Sequence, residues 1–345
     1  MERPERDEAL AYLCVDDFMR DVVGARALSS ALELGLIDHL LQHQPCTPAE
    51  LAQRSKLDAR AQRLLLDLLR ANRIIERAEG QLRLSGPFTQ ALQYRDLLEA
   101  KLDFCSVVAP DFLELFTALL TDPERFFGEA RVFELFSYQR CFDSSPESRA
   151  HTARWMRITT ALTKYEAAAC MARHDFSRYA RMLDVGGNSG EFALRVCRRH
   201  AGLRATVYDL PLVCTIGAEH LAAEPEAGRI AFVNAQASGG ALPPGQDLVT
   251  FKSMLHDWPE AEMRKFLARA YQALEPGGTL LIFERSLLQL GAEQLPYASI
   301  PLLLFFRAYR SHEDYARALE QAGFRDVRAE TVDLDLPFML ISARR

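Results

Sequence analysis

The stretch Arg181-Met-Leu-Asp-Val-Gly-Gly-Asn-Ser-Gly-Glu-Phe-Ala-Leu-Arg-Val-Cys197 decides how the rest of the chain is read. Met182 to Val185 is a short apolar run of strand type. Gly186, Gly187 and Gly190 break it, and Phe192 onward resumes at helical spacing. The pattern is strand, glycine turn, helix. Glycines there admit positive φ and let a ligand approach bare backbone, while the N–H groups of the helix start face whatever is bound. Downstream, Arg204 to Tyr208 reads as a second strand ending in Asp209. That carboxylate stands about 20 residues past the last glycine, where it can accept hydrogen bonds from ribose hydroxyls. A nucleoside-type cofactor is the first expectation.

The order of the glycines separates two nucleoside readings. A dinucleotide site wants G-x-G-x-x-G, so that a pyrophosphate sits on the helix N-terminus. Here the order is Gly-Gly-Asn-Ser-Gly, and Glu191 at the helix start would repel a phosphate. A cofactor with a ribose and a cationic or zwitterionic tail fits better, which points to S-adenosylmethionine. Taken alone, the motif leaves open a turn that only links strand to helix.

At 345 residues the chain has room for two domains, each with its own core. A net charge of −6 and a pI of about 5.8 give no support for a nucleic-acid or anionic-membrane binder. The seven cysteines are scattered without a C-x-x-C pair and read as reduced thiols of a cytosolic protein. The first eight residues are highly charged. No apolar run resembles a signal-peptide core, and none is expected to reach the length of a membrane span. Ile300 to Phe306 reads as the lining of a core or a pocket.

In chain order, Phe18 to Leu34 has helical spacing with Gly35 as its stop. Leu36 to Leu41 suggests a short second helical turn, and Thr47-Pro-Ala-Glu50 is a capping box that opens another helix. A helix over Ala59 to Ala71 follows, then two short strands around Glu79-Gly80. Helix, turn, helix and hairpin make a winged helix, which raises DNA binding as a rival function. Its second helix sets Arg60, Arg63 and Arg70 against Asp58, Asp67 and three adjacent leucines. That is a poor basic face, and a packing or dimerisation module is the preferred reading. Residues 88–175 read as largely helical, broken near Asp122-Pro123 and Ser145-Pro146.

From Arg181 on, strands and helices alternate. Further strands are expected at Ile230 to Val233, Asp247 to Phe251, Thr279 to Glu284, near Val327 and at Phe338 to Ile341, with a helix from Glu260 to Leu274 stopped at Pro276-Gly277-Gly278. The fold class is therefore α/β, a doubly wound, mostly parallel Rossmann-like sheet with an N-terminal, mainly helical winged-helix domain. The expected division is residues 1–100, a helical connector with substrate-pocket helices over 101–175, and the cofactor-binding domain over 176–345. Ligands bind at the carboxyl ends of such strands. That rule sets Gly186, Asp209, the segment after Val233, His256 and Glu284 along one rim. A histidine there can serve as a general base, since its ordinary pKa is about 6.5, and Glu284 can orient it. A structural histidine at a helix start is the competing reading.

Four motifs in this order, Leu183-Asp-Val-Gly-Gly187, Tyr208-Asp-Leu-Pro211, Leu255-His-Asp-Trp258 and Glu275-Pro-Gly-Gly278, resemble the caffeate and acetylserotonin type of S-adenosylmethionine-dependent O-methyltransferase and its bacterial natural-product members. The resemblance covers nearly the whole chain, because that family carries an N-terminal winged-helix dimerisation domain, which residues 16–100 resemble. It implies a homodimer that takes a methyl from S-adenosylmethionine, leaves S-adenosylhomocysteine, and acts on a hydroxyl or carboxyl oxygen of a small secondary metabolite. The cofactor would lie against Asp184, Gly186, Gly187, Asp209 and Leu210, then Gln236 and Ala237, with Lys252 near its adenosine or carboxylate end. His256 would be the base and Glu284 its partner. Tyr309 stands where a second catalytic glutamate is usual, Gln236 where an aspartate is usual, and Asn188-Ser189 where glycine and threonine are usual. Trp155, Met156, Arg157, Asp257, Arg307 and Arg310 would line the acceptor. If two of those arginines reach the pocket, a carboxylate-bearing substrate is expected.

Two rivals remain at this stage. One keeps the fold but methylates carbon or nitrogen, or holds the cofactor without transferring methyl. The other is a winged-helix DNA-binding regulator. No metal site and no nucleic-acid or membrane partner is expected from residue spacing.

Overall fold

The computed structural model describes residues 8–54, 57–236, 240–288 and 295–345. The chain divides into two units, one made of Met1–Phe116 with Gly291–Pro301, the other of Thr117–Leu290 with Leu302–Arg345.

The first unit opens with a 3-10 segment, Glu8–Phe18, followed by α1 (Val22–Glu33), α2 (Leu36–His43), α3 (Pro48–Arg54) and α4 (Ala59–Ala71). The helix expected from Phe18 starts at Val22 instead, because Asp21 caps it and accepts the Gly24 N–H at 2.7 Å. The Thr47 capping box forms as read, with the Thr47 N–H donating to Glu50 Oε2 at 2.6 Å and the Glu50 N–H to Thr47 Oγ1 at 3.2 Å. Strands β1 (Ile75–Ala78) and β2 (Gln81–Leu84) pair antiparallel around Glu79 and Gly80, both at positive φ, as a two-residue hairpin turn requires. This is a winged helix. On α4, Leu65 and Leu69 face inward, while Leu64 is 62% exposed beside Arg60, Arg63 and Arg70, an outer face that is partly apolar.

Helices α5 (Gly86–Ala91) and α6 (Arg95–Thr121) follow. The helical run Gly86–Thr121 is long and apolar enough to cross a membrane by length and composition, which corrects the expectation that no run reaches that length. It also buries Lys101, 2.8 Å from Asp16, and Asp111. Charged groups of this kind suit a helix packed inside protein better than one facing hydrocarbon.

The second unit begins with α7 (Pro123–Glu129), α8 (Val132–Leu135), a 3-10 segment Tyr138–Phe142 and the long α9 (Pro146–Arg173). The two expected breaks are helix starts. Asp122 and Ser145 each accept a backbone N–H three residues on, with proline at the first helical position. Then come β3 (Arg181–Val185), α10 (Glu191–Arg199), β4 (Arg204–Asp209), α11 (Pro211–Leu221), β5 (Ile230–Asn234), β6 (Gln246–Lys252), α12 (Glu260–Ala273) and β7 (Leu274–Arg285). A helical turn α13 (Ile300–Leu303), α14 (His312–Gln321), β8 (Arg325–Asp333) and β9 (Pro337–Arg344) complete the chain.

The sheet order is β5-β4-β3-β6-β7-β9-β8. The first five strands are parallel, and β9 enters antiparallel between β7 and β8. Apolar residues of α9 and α10 cover one face, with Phe192 and Phe176 at its centre. Those of α12 and α14 cover the other, with Leu267 and Tyr315. Pro276-Gly277-Gly278 does not simply stop a helix. The strand already starts at Leu274, and the register jump from Gln246↔Leu274 to Leu248↔Thr279 leaves residues 275–278 bulged out, with Gly277 at φ +79°. The chain leaves β3 for β4 on one side and returns to β6 on the other, so the crevice past Val185 lies where strand order reverses.

Candidate active site

The turn after β3 is shaped by what a side chain would hit. Gly186 has φ +69°, and a Cβ there would stand 2.5 Å from Met254 Cγ. At Gly187 a Cβ would stand 2.7 Å from Asp184 Oδ2. Asn188 takes φ +54°, a conformation asparagine tolerates better than most residues. Asp209, at the end of β4, accepts the Asn188 N–H at 2.8 Å and the Leu210 N–H at 2.7 Å, so it ties the glycine turn to the start of α11. Burial pushes its pKa up to about 6 against those two donors. Beneath the turn, Asp184 Oδ1 accepts the Thr250 hydroxyl at 2.6 Å, while Oδ2 is buried without a partner. Burial, with Asp209 nearby, raises Asp184 to about 7.

An orphaned carboxylate oxygen beside a second carboxylate and a bare glycine turn fits a ligand that offers a cation and hydroxyls. That is the chemistry of S-adenosylmethionine, with its amino group and ribose. Gln236 lies exposed just beyond β5, and Ala237 lies outside the described residues. Lys252 departs from expectation. Its ammonium bonds to Glu166 of α9 and to Thr163 Oγ1 at 3.0 Å, and Glu166 also takes Arg285 at 2.8 Å. Lys252 therefore belongs to a buried charge cluster rather than to an open cofactor wall.

On the same rim, β6 is followed by a 3-10 turn, Leu255–Asp257, that carries His256. His256 Nδ1 stands 2.8 Å from Glu284 Oε1 at the end of β7, and Glu284 Oε1 also accepts the Arg285 N–H at 3.0 Å. The other ring nitrogen, Nε2, is 3.3 Å from Asp257 Oδ1. Burial favours the neutral ring, but Glu284 and Asp257 more than offset it and raise His256 above its ordinary value. Burial works to raise Glu284 too, yet the imidazole and the Arg285 N–H bring it below the usual carboxylate range. Burial pushes Asp257 up despite His256 and a hydrogen bond from Tyr138. The arrangement can hold an imidazole by one nitrogen and exchange a proton at the other.

Aromatic rings surround it. Phe305 meets His256 edge-on at 5.8 Å and Phe136 at 5.7 Å, and Tyr138 lies between Trp155 at 5.6 Å and Trp258 at 6.1 Å. Trp155 and Met156 are buried on α9, where Arg157 is exposed. Tyr309 packs its ring 5.5 Å from His256 but turns its hydroxyl to the Leu302 carbonyl at 3.3 Å, so it does not substitute for a second carboxylate on the imidazole. The condition set for a carboxylate-bearing substrate, two arginines turned to the pocket, is not met by Arg307 and Arg310, whose guanidinium groups bind backbone carbonyls. Arg307 donates to the carbonyls of Leu119 and Leu120, and Arg310 to those of Leu255 and Trp258, where it braces the His256 turn. Tyr138 and Glu166 were not singled out from sequence. The only signal was a tyrosine in an aromatic segment and one of two acidic residues on a helix with five basic ones. Among the described residues no three His, Cys, Asp or Glu side chains are grouped to hold a metal ion, since Glu284 and Asp257 flank opposite nitrogens of His256.

Residues 117–325 match the O-methyltransferase domain, and residues 17–87 match the O-methyltransferase dimerisation domain. The chain belongs to the O-methyltransferase family. The methyltransferase is 31% identical over 277 residues to 3-hydroxy-5-methyl-1-naphthoate 3-O-methyltransferase of Streptomyces sahachiroi, covering 75% of this chain and 73% of that one. It is 29% identical to N,N-dimethyltransferase OxyT of Streptomyces rimosus over 92% of both chains. Human N-acetylserotonin methyltransferase in complex with S-adenosylmethionine shares the fold, with a TM-score of 0.75 at 22% identity over 100% of this chain and 99% of that one. The methyltransferase thus uses S-adenosylmethionine and transfers its methyl to oxygen, on a Rossmann-like sheet joined to a winged-helix dimerisation domain, in a family branch of bacterial natural-product enzymes.

Proposed function

We propose that this O-methyltransferase methylates a hydroxyl oxygen of a small aromatic metabolite, with His256 as general base and Glu284 as the residue that holds its imidazole. The observation that carries the reading is the 2.8 Å contact between His256 Nδ1 and Glu284 Oε1 at the carboxyl ends of β6 and β7, on the same rim as Asp209. That contact leaves Nε2, which faces Asp257 Oδ1 at 3.3 Å, as the nitrogen that takes the proton of an acceptor hydroxyl once Asp257 gives way. Asp184, Gly186, Gly187, Asp209 and Leu210 are the residues that would hold the cofactor. When bound, S-adenosylmethionine supplies a sulfonium methyl, whose C–S bond breaks as the O–C bond forms, and leaves as neutral S-adenosylhomocysteine. The chain's own work is alignment, proton removal to His256 and exclusion of water.

Trp155, Tyr138, Phe136, Phe305 and Trp258 favour a planar, apolar acceptor. With Arg307 and Arg310 occupied by backbone carbonyls, a carboxylate on that acceptor is not required. The enzyme acts as a homodimer through the matched dimerisation domain. It works in the cytoplasm, which agrees with the absence of any disulfide among its seven cysteines. The likeness to an N,N-dimethyltransferase keeps an amine acceptor as the second reading.

The test is incubation of the purified enzyme and S-adenosylmethionine with a mixed panel of phenols, hydroxy acids, keto acids and aromatic amines, read by mass spectrometry for the gain of one methylene. A methylated phenol that disappears in His256→Ala, with S-adenosylhomocysteine binding retained, supports the reading. A product that persists in His256→Ala overturns the base assignment, and an amine product overturns the oxygen acceptor.

A further inference from the structure

Glu284 accounts for one side of the His256 imidazole, and the other side faces Asp257, with Oδ1 at 3.3 Å from Nε2. The far oxygen of that carboxylate, Oδ2, accepts the hydroxyl of Tyr138 at 2.5 Å. Tyr138 arrives from the 3-10 segment after α8, 119 residues earlier in the chain. Its ring is stacked with Trp258, the neighbour of Asp257, and packed on Trp155. The backbone beneath Asp257 is already fixed, because Arg310 holds the carbonyls of Leu255 and Trp258 on either side of His256 and Asp257. What is left free is the short side chain of Asp257, and the Tyr138 hydroxyl removes that freedom.

We infer that Tyr138 is a positioning residue for methyl transfer: its hydroxyl pins Asp257 against His256 Nε2, so that an acceptor hydroxyl reaches the imidazole by replacing Asp257 there. The inference rests on His256 being the base. Tyr138 acts through Asp257 and touches no reacting atom. The charged and titratable groups facing His256 are Glu284 and Arg285 from β7 and Asp257 from its own turn, with the Tyr309 ring beside it. Those facing Tyr138 are Asp257, Asp209 and Cys141. Within that set Tyr138→Phe deletes one oxygen and no charge. Without the donor, Asp257 keeps its negative charge less firmly, and His256 loses part of one of the two carboxylates that favour its protonated form.

The experiment needs no acceptor. Protein labelled with 15N-histidine and saturated with S-adenosylhomocysteine is titrated by NMR as wild type, Tyr138→Phe, Asp257→Asn and the double variant. The His256 signal is assigned among the eight histidines by its loss in His256→Gln. The expected result is a His256 midpoint lowered by about half a unit to one unit in Tyr138→Phe, by at least as much in Asp257→Asn, and no further in the double variant. An unchanged midpoint in Tyr138→Phe, or an added fall when it is combined with Asp257→Asn, overturns the inference. Retained S-adenosylhomocysteine affinity certifies each fold. Should Tyr138→Phe fail to fold, an unmoved midpoint in Asp257→Asn overturns the inference equally. A methyl product that survives in His256→Ala would sink the base reading while leaving the measured link between Tyr138 and His256 intact, so the two failures are distinct.

Discussion

Thr250 donates its hydroxyl to Asp184 Oδ1 across 2.6 Å and leaves Oδ2, equally buried, without a partner. A half-satisfied buried carboxylate is costly until a donor or a cation reaches it. Burial raises Asp184 to about 7, above an ordinary aspartate near about 3.9, so in the free protein it is protonated below that value and charged above it. A positively charged cofactor amine binds the charged form better. The affinity for S-adenosylhomocysteine, measured by calorimetry, is expected to rise about fivefold from pH 6 to pH 8. Asp184→Asn should bind at least about tenfold more weakly at pH 8 and lose most of that dependence.

His256→Ala is expected to lower kcat by about 10²–10⁴-fold while changing S-adenosylhomocysteine affinity by less than about threefold. Initial rates with the acceptor found in the panel, together with calorimetry, check both halves. An equal loss of cofactor affinity would assign His256 to binding instead.

The raised pKa of His256 fixes the direction of the rate profile. The ring is protonated below its folded value and able to accept a proton above it, so kcat/KM should climb with pH through a midpoint above about 6.5. The same shift makes a contribution to stability that is fully present below about 6.5 and is lost as pH rises through the folded value. In Glu284→Gln the raising charge is gone and burial dominates, so the limb should move to lower pH. Rates from pH 5.5 to 9 read the shift.

Glu166 is the shared counter-charge of Lys252 and Arg285, all three buried. Glu166→Ala should destabilise the protein by about 3–5 kcal/mol, because two cations lose their partner in a low-dielectric site. Urea denaturation measures it, and a loss below about 1 kcal/mol would mean that water reaches the cluster.

Gly186→Ala should cost about 1–3 kcal/mol from its positive φ alone, and the approach of a Cβ to Met254 adds to that. Thermal melting gives the loss. Cofactor affinity should fall with it, since the turn must move.

The rim was legible in the sequence because each of its residues ends an apolar strand or follows it within a few residues. Asp209 after Val207-Tyr208, His256 after β6 and Glu284 at the end of β7 could be read from local pattern and the rule that ligands sit at strand carboxyl ends. What escaped was set by distant partners. Nothing near Tyr138 announces Asp257, and nothing near Lys252 announces Glu166, 86 residues before it. Arg307 and Arg310 show the same gap, since an arginine that will bind backbone carbonyls looks in sequence like one that will meet a substrate. The misplaced start of α1 was a local error. Asp21 is a good cap, and apolar Phe18 extended the period past it.

Asp184 and Thr250 stand on adjacent strands although 66 residues separate them, because β4, α11 and β5 are laid on the far side of β3 before β6 returns beside it. Closing so long a loop costs entropy before any pairing compensates it, and sheets built from distant parallel pairs fold slowly. Helices such as α9 and α12 can form early from neighbours in the chain. The grip on the cofactor must wait until β3 and β6 meet, so during refolding the capacity to bind S-adenosylhomocysteine should lag behind the recovery of helical signal.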